Sequence, residues 1–316
     1  MRRMKSIQVI LLLAVCSVSA YAQETKGKQV AITIDDLPVV SSLQTDEDWE
    51  EITRKLLRTI KRNKVPVVGF VNETQLYNHN ELNPRRVALL RAWLDAGLEL
   101  GNHTFSLHST PLAEFQSDVL RGEKVLRELA TAKHARLRYF RHPFLHTGRS
   151  LETRQQFESF LRIHGYTVAP VTIDNSDWIF ARAYDNARDA NDRAAMNQVA
   201  AAYVPYMESK FAHFENLSAK LFGRNIKHVL LLHANSINAD HLADLIAMVK
   251  KRGYKFITLA DALTDSAYRS PDTTTGAWGI SWIDRWALTR NVPPGFFKGE
   301  PRTPAFVMKL AKVESE

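Results

Sequence analysis

The sequence Val30-Ala31-Ile32-Thr33-Ile34-Asp35-Asp36 joins a short apolar run to two adjacent carboxylates. The apolar part predicts a buried strand. Two acidic side chains at the end of such a strand are costly to bury as ions unless a cation or a proton-transfer role compensates. This stretch therefore predicts a strand inside the fold and a functional site at the end of that strand.

A second apolar run, residues 97–101, is followed by His103 and His108. Carboxylate and imidazole groups are typical ligands of zinc in proteins. Together with the two aspartates after the first run, these histidines supply the ligand types of a metal site. The sequence therefore favours a metallohydrolase.

Short apolar runs alternate with helical patterns along the chain, which predicts an α/β fold. Strands are predicted at residues 30–34, 65–71, 98–100, 137–140, 167–173, 228–232 and 255–259. Helices between them are predicted at residues 49–62, 84–96, 112–130 and 239–252, among others. Such alternation produces a parallel sheet, and polar residues follow the strands. We therefore expect a barrel with its site at the carboxyl ends of the strands.

Two segments depart from this alternation. Residues 181–222 are Ala-rich and charged with helical spacing, interrupted by Pro205, and are longer than a crossover helix needs to be, which predicts a helical insertion. Residues 265–316 form a C-terminal extension with three tryptophans at every fourth position: Trp278, Trp282 and Trp286. For this aromatic stripe, a helix packed on the body is favoured over a glycan-binding platform.

The first 22 residues have the pattern of an export signal. Basic residues precede an apolar run, and Ala20-Tyr21-Ala22 has the small-x-small form of a cleavage site. We expect the protein to be exported to the periplasm or the medium. No later stretch approaches the roughly 20 apolar residues that a membrane-spanning helix requires.

Cys16 is the single cysteine of the chain and lies within the predicted signal. A lipid anchor on this residue is the alternative interpretation, which the bulky Val15 before it disfavours. Once the signal is removed, no disulfide or thiolate metal site is available. The remaining residues suffice for one large α/β domain that its apolar core must stabilise.

The charge of the chain is mildly basic. Removal of the signal, which carries Arg2, Arg3 and Lys5, would lower the formal charge from +8 to +5. No cluster of Lys and Arg with interleaved aromatic residues marks a nucleic-acid groove. We therefore expect no nucleic-acid partner, and the sequence leaves the oligomeric state open.

Five segments resemble, in order, the five motifs of the polysaccharide deacetylases, which are carbohydrate esterase family four and share a nodulation-protein-B-like domain. The segments are Thr33-Ile34-Asp35-Asp36-Leu37-Pro38, Asn102-His103-Thr104-Phe105-Ser106-Leu107-His108, Phe140-Arg141-His142-Pro143-Phe144, Asp174-Asn175-Ser176-Asp177-Trp178 and Leu230-Leu231-Leu232-His233. The resemblance covers about residues 29–264, within a catalytic domain expected at 23–264. It implies a distorted (β/α) barrel, here of about seven strands, and a divalent metal, commonly zinc.

The resemblance also implies a role for each polar group. Asp36, His103 and His108 would hold the metal. Asp35 would be the general base, paired with Arg141, because a nearby cation favours the ionised carboxylate. His233 would be the general acid, since cleavage of an acetamide requires a proton for the leaving amine.

Four further residues complete the site that the resemblance implies. Asp177 would orient His233 and stabilise its charged form. Trp178 would line the acetyl pocket. The backbone N–H near Phe144 would help to bind the oxyanion, and Pro143 would fix the turn beside it.

Two departures from the family pattern concern the metal and the cleft. His103 and His108 are five residues apart, whereas the family usually has four. We favour a shifted but working ligand in a loop, and the alternative is that Leu107 occupies the ligand position. Leu37 stands where a glycine is usual, which would make the rim of the cleft bulkier.

Three functions from different classes remain open at this point. The first is an exported metal-dependent hydrolase that removes acetyl groups from an acetylated carbohydrate. The second is a related amidohydrolase that acts on a non-sugar amide. The third is a catalytically impaired wall-binding homologue, in which the altered histidine spacing has disabled the metal site.

Overall fold

The computed structural model describes residues 27–43, 45–106 and 111–316. The predicted export signal, residues 1–22, and the predicted ligand His108 lie outside the described residues. The described part forms strands β1 (Gln29–Leu37), β2 (Val67–Val71), β3 (Tyr77–Asn78), β4 (Glu81–Leu82), β5 (Glu99–Asn102), β6 (Tyr139–Phe140), β7 (Thr167–Val168), β8 (His228–His233) and β9 (Lys255–Phe256). Its helices are α1 (Asp46–Asn63), α2 (Pro84–Asp95), α3 (Leu112–Arg121), α4 (Lys124–Ala132), α5 (Leu151–Ile163), α6 (Asp177–Asp189), α7 (Arg193–Phe222), α8 (Ser236–Lys251), α9 (Leu259–Leu263), α10 (Trp282–Thr289) and α11 (Ala305–Ala311).

The main sheet is parallel and closes on itself. Its strand order is β7-β6-β5-β2-β1-β8, and β9 pairs with the start of β1. Beyond β7 the chain reaches Ile173, which forms a parallel bridge with Leu230 of β8 and donates its backbone N–H to Val229 at 3.0 Å. This bridge joins the two ends of the sheet into an irregular ring. The predicted distorted (β/α) barrel of about seven strands is confirmed.

Strand β1 lies at the centre of the sheet between β2 and β8. Val30, Ala31 and Ile34 are fully buried, and the buried Thr33 hydroxyl donates to the carbonyl of Leu230 at 2.8 Å. A parallel strand that is covered on both faces needs a nearly continuous apolar run. This burial explains why the run before Asp35 contains a single polar residue, and why that residue is a hydrogen-bonded threonine.

One predicted helix is divided in two, and the strands predicted at 65–71, 137–140, 167–173 and 255–259 are shortened, most of all the one at 167–173. The pattern over residues 112–130 forms α3 and α4, separated at Gly122, which packs so closely on Thr104 that a Cβ there would lie 2.3 Å from the Thr104 carbonyl carbon. The run 167–173 is a regular strand at residues 167–168 and pairs again at Ile173. Both differences arise from tertiary packing, which overrides local periodicity.

The segment predicted as a helical insertion forms most of α6 and all of α7. Helix α6 begins at Asp177, four residues before the predicted start, and residues 190–192 separate it from α7. Helix α7 continues through Pro205. In the C-terminal extension, α11 packs against α6 and α10 packs against α7. None of the described helices is long and apolar enough to cross a membrane.

Candidate active site

The predicted site residues converge at the carboxyl ends of four strands of the main sheet. Asp35 lies in β1 and pairs in register with His233 at the end of β8. On the other side of β1, His103 directly follows β5 and Arg141 directly follows β6. In a parallel barrel all carboxyl ends lie on one side, so motifs that are far apart in sequence meet there.

An irregularity in β1 brings both aspartates to one side. Successive residues of a regular strand face opposite sides of the sheet. The pairing of β1 with β2 shifts register between Ile34 and Leu37, and Asp36 has a left-handed backbone with φ 60°. As a result, His103 Nε2 lies 3.8 Å from Asp35 Oδ2 and 3.6 Å from Asp36 Oδ1.

His103 is held as a neutral ring with a free nitrogen lone pair. Its Nδ1 lies 2.9 Å from the backbone carbonyl of Arg141. A carbonyl oxygen only accepts hydrogen bonds, so Nδ1 carries the proton and Nε2 carries the lone pair. Burial lowers the pKa of His103 to about 4, although Asp36 opposes this shift. This tautomer is the one that ligates metals through Nε2.

Asp36 and His103 fit two positions of a metal site. Asp36 Oδ1 is buried and has no hydrogen-bond partner, and it is the oxygen that lies 3.6 Å from His103 Nε2. Two tetrahedral ligands about 2.1 Å from one zinc ion are separated by roughly 3.4 Å, which is close to this distance. Among the described residues, no group of three or more Asp, Glu, His or Cys side chains could hold a metal ion. The predicted three-residue site therefore depends on His108.

Asp35 is a buried carboxylate held by a single cation. Arg141 donates from Nη1 to Asp35 Oδ2 at 3.3 Å, and Asp35 Oδ1 has no hydrogen-bond partner. Burial raises the pKa of Asp35, while the Arg141 and His233 charges oppose the rise. A carboxylate with a raised pKa and one uncommitted oxygen is suited to accept a proton.

Arg141 is fixed by three hydrogen bonds and is fully buried. Besides the contact with Asp35, Nε donates to the carbonyl of Ala169 at 2.8 Å and Nη2 donates to Thr33 Oγ1 at 2.9 Å. Its guanidinium carbon also lies 4.8 Å from the centre of the Phe70 ring. These contacts hold the positive charge at a constant position beside Asp35.

His233 and Asp177 form a second acid–base pair. Asp177 Oδ1 lies 2.6 Å from His233 Nδ1, and Oδ2 accepts the backbone N–H of His233 at 2.8 Å. Burial alone would lower the pKa of His233, but the charges of Asp177, Asp36 and Asp35 raise it to about 10. The imidazole therefore carries a proton near neutral pH and is suited to donate it.

Two residues that the sequence analysis missed hold Asp177 in place. Asn238 Nδ2 donates to Asp177 Oδ2 at 2.6 Å, and its Oδ1 accepts from the hydroxyl of Tyr203 at 2.6 Å. Both side chains are fully buried. Asn235 caps α8 by accepting the N–H of Asn238 at 3.0 Å, which starts the helix directly after β8. The N-cap residue Asn235 soon after His233 is visible in the sequence and places Asn238 in the first turn of a helix. No local sequence feature points to Tyr203.

The predicted substrate-binding residues border this centre. Pro143 is buried at the start of a short 3-10 helix, whereas Phe144 is 53% exposed and has a left-handed backbone with φ 53°. Trp178 is 42% exposed and directly follows Asp177. The loop after β6 and the start of α6 thus each carry one exposed aromatic residue next in sequence to residues of the site.

The fold is a distorted (β/α) barrel that brings two aspartates, His103 and a His–Asp pair together at the carboxyl ends of its strands. Residues 22–160 match the model of the family described as "Polysaccharide deacetylase". The match contains the first three of the five motifs. The resemblance of the chain to the polysaccharide deacetylases is therefore confirmed.

Solved structures share the fold at low sequence identity. A variant of a CE4 family pseudoenzyme of Bacillus anthracis, described as having restored enzymatic activity, is 17% identical with a TM-score of 0.50; the match covers 75% of this chain and 68% of that chain. The peptidoglycan deacetylase PdaC of Bacillus subtilis is 18% identical with a TM-score of 0.47, over 76% of this chain and 91% of that chain. At these identities the first likeness shows the fold alone. No curated protein matches the chain.

Proposed function

We propose that the protein is an exported, metal-dependent hydrolase that removes acetyl groups from an acetylated carbohydrate. The substrate class is a glycan that contains N-acetylglucosamine or an acetylated polysaccharide. The observation that carries the proposal is the unpartnered Asp36 Oδ1 facing His103 Nε2 at 3.6 Å, directly beside Asp35. The family match supports the carbohydrate substrate.

The residues present fit a divalent cation held by Asp36, His103 and, as the resemblance implies, His108. Zn²⁺ suits this set because imidazole and carboxylate are its usual ligands. When bound, the ion supplies Lewis acidity toward the acetyl carbonyl. Asp35 then accepts the proton of the attacking water through its uncommitted oxygen.

The second half of the reaction needs a proton donor. His233 is protonated near neutral pH because its pKa is about 10, and it can donate to the leaving amine or alcohol. Asp177 keeps the imidazole in one orientation through its 2.6 Å contact with Nδ1. Asp35 and His233 are register partners on adjacent strands, so base and acid act on the same bound group from neighbouring positions.

A catalytically impaired wall-binding homologue is the second candidate. The observation that favours it is the five-residue spacing of His103 and His108, where the family usually has four. Under this candidate the unusual spacing of His103 and His108 abolishes metal binding while the cleft still binds glycan. A related amidohydrolase acting on a non-sugar amide is the remaining alternative.

The test is an acetate-release assay on chitooligosaccharide, acetylxylan and peptidoglycan. We expect release from at least one glycan, loss of release with a chelator, and recovery when Zn²⁺ is added back. Metal content is measured in parallel by mass spectrometry. Absence of bound metal would support the impaired homologue, and bound metal without acetate from any glycan would support the amidohydrolase.

A further inference from the structure

The tryptophan stripe of the C-terminal extension is divided by the fold. Trp282 and Trp286 are buried on α10, with 7% and 1% exposure. Trp278 precedes this helix and is 78% exposed. The packing of α10 accounts for the two buried rings and leaves Trp278 without a role in the core.

The backbone around Trp278 is firmly attached to the loop after β6. Gly276 accepts a hydrogen bond from His146 Nε2 at 2.8 Å. Gly279 lies against Phe144 and Leu145 so closely that a Cβ there would be 2.3 Å from the Phe144 carbonyl oxygen. Further along the chain, the backbone N–H of Trp282 donates to the carbonyl of Val171 at 2.7 Å. The fold therefore fixes this segment on both sides of Trp278 but does not cover the indole.

Trp278 is thereby placed at the border of the proposed cleft. Its neighbour Gly279 touches the backbone of Phe144, which lies three residues after Arg141 on the same loop. Phe144 and Trp178 are the other exposed aromatic residues at this end of the barrel, among the described residues with large exposed apolar side chains. A rigid exposed indole offers a large apolar face at little cost in side-chain entropy. A pyranose ring presents a matching face of C–H groups.

We propose that Trp278 forms an aromatic subsite that binds a pyranose ring of the glycan beside the sugar that is deacetylated. The proposal rests on the proposed function and extends it, because it makes the enzyme selective for chain length. A short substrate fills the centre around Asp35 and His233. A longer substrate also reaches the indole.

The test compares Trp278→Ala and Trp278→Phe with the wild-type protein on an N-acetylglucosamine disaccharide and pentasaccharide. We expect the alanine variant to raise KM for the pentasaccharide roughly five- to tenfold, with kcat unchanged. This is the loss of affinity that corresponds to the free energy of one aromatic contact. KM for the disaccharide should not change. The phenylalanine variant should recover most of the loss. Ile163→Ala is the matched control, since Ile163 is 77% exposed and ends α5 at the opposite end of the barrel.

A binding measurement separates this inference from the proposed function. Tryptophan fluorescence of Asp35→Asn is titrated with the pentasaccharide, and the same titration is made on Asp35→Asn with Trp278→Phe. A fluorescence change that is seen with Trp278 present and lost in the Trp278→Phe variant supports the subsite even if no acetate is released. An unchanged KM for the pentasaccharide in the alanine variant, or titrations that do not differ, would overturn it. A wild-type dimer that Trp278→Ala converts to a monomer would also overturn it, because the indole would then be a subunit contact.

Discussion

Two adjacent aspartates in β1 have different surroundings, on which the different roles proposed for them rest. Asp35 is held by Arg141, whereas Asp36 has a buried oxygen that faces an imidazole lone pair. The sequence identified both residues, since an Asp-Asp pair after an apolar run is visible without a structure. It identified neither Asn238 nor Tyr203, because the hydrogen bonds that tie them to Asp177 join α7 and α8 across the fold.

The two aspartates should separate metal binding from catalysis. If the proposed zinc site exists, we expect Asp36→Ala to bind far less zinc than the wild-type protein, since it removes a proposed ligand. Asp35→Asn should keep the zinc and lower kcat by about 10² to 10⁴, because it removes the base. Zinc content by mass spectrometry, measured after dialysis, checks this. Loss of zinc from both variants to the same degree would mean that Asp35 is a ligand rather than the base.

The raised pKa of His233 predicts a pH-dependent stability. Its pKa is about 10 in the folded protein and about 6.5 in the unfolded chain, so the folded state binds the proton more tightly. The resulting stabilisation is fully present below about pH 6.5 and is lost as the pH rises through about 10. Asp177→Asn removes the charge that raises this pKa. The free energy of unfolding of this variant should therefore be lower than that of the wild-type protein, and the difference should be larger at pH 6 than at pH 10.

Urea denaturation of Asp177→Asn and of the wild-type protein at these two pH values measures the difference. His233→Gln is the matched variant, because it removes the titrating group and should abolish the pH-dependent part. A deficit of equal size at both pH values would show that Asp177 acts only through its uncharged hydrogen bonds.

At the scale of elements, strands and helices with strong periodicity lie close to their predicted positions, whereas elements shaped by tertiary contacts do not. Strand β1 and helices α1, α2 and α8 lie within a few residues of their predicted bounds. The division between α3 and α4 was not predictable, because it depends on Gly122 touching a loop that is distant in sequence. That loop begins directly after His103.

Gly122→Ala should therefore destabilise the protein. The added Cβ would lie 2.3 Å from the carbonyl carbon of Thr104, so the backbone of the loop or of the helix must move. We expect a loss of about 1–3 kcal/mol in the free energy of unfolding, the usual cost of overpacking. Chemical denaturation measures it. Gly295→Ala is the control, since nothing lies within 4 Å of a Cβ there, and a similar loss in both variants would contradict the argument.

At the scale of the whole molecule, the barrel and its helical additions form a continuous packed unit. Helix α11 of the C-terminal extension packs against α6, which begins with the catalytic candidate Asp177. The sequence predicted an appended segment from its composition. It could not predict that this segment contacts the helix that presents Asp177, since such docking depends on shape rather than on periodicity.

Val307→Asp should reveal how far this docking stabilises the molecule. Val307 is fully buried on α11, and an unpaired carboxylate there has no compensating partner. We expect a loss of about 3 kcal/mol or more in the free energy of unfolding. Lys309→Asp, at an exposed position of the same helix, should cost less than about 1 kcal/mol. Equal stability of the two variants in thermal denaturation would mean that α11 is not docked in solution.

The strands of the main sheet are paired over more residues on one side of the barrel than on the other. Strand β1 pairs along its length with β2 and β8, whereas β5 meets β6 at the single pair Asn102–Phe140 and the ring is completed by the lone bridge at Ile173. Amide protons along the sparse side should consequently exchange with solvent sooner than those of β1. The two aspartates thus lie on the extensively paired side of the sheet, whereas the loop with Phe144 follows a sparsely paired strand. If the proposed function is right, this loop can adjust to a polymeric substrate while the aspartates keep their positions.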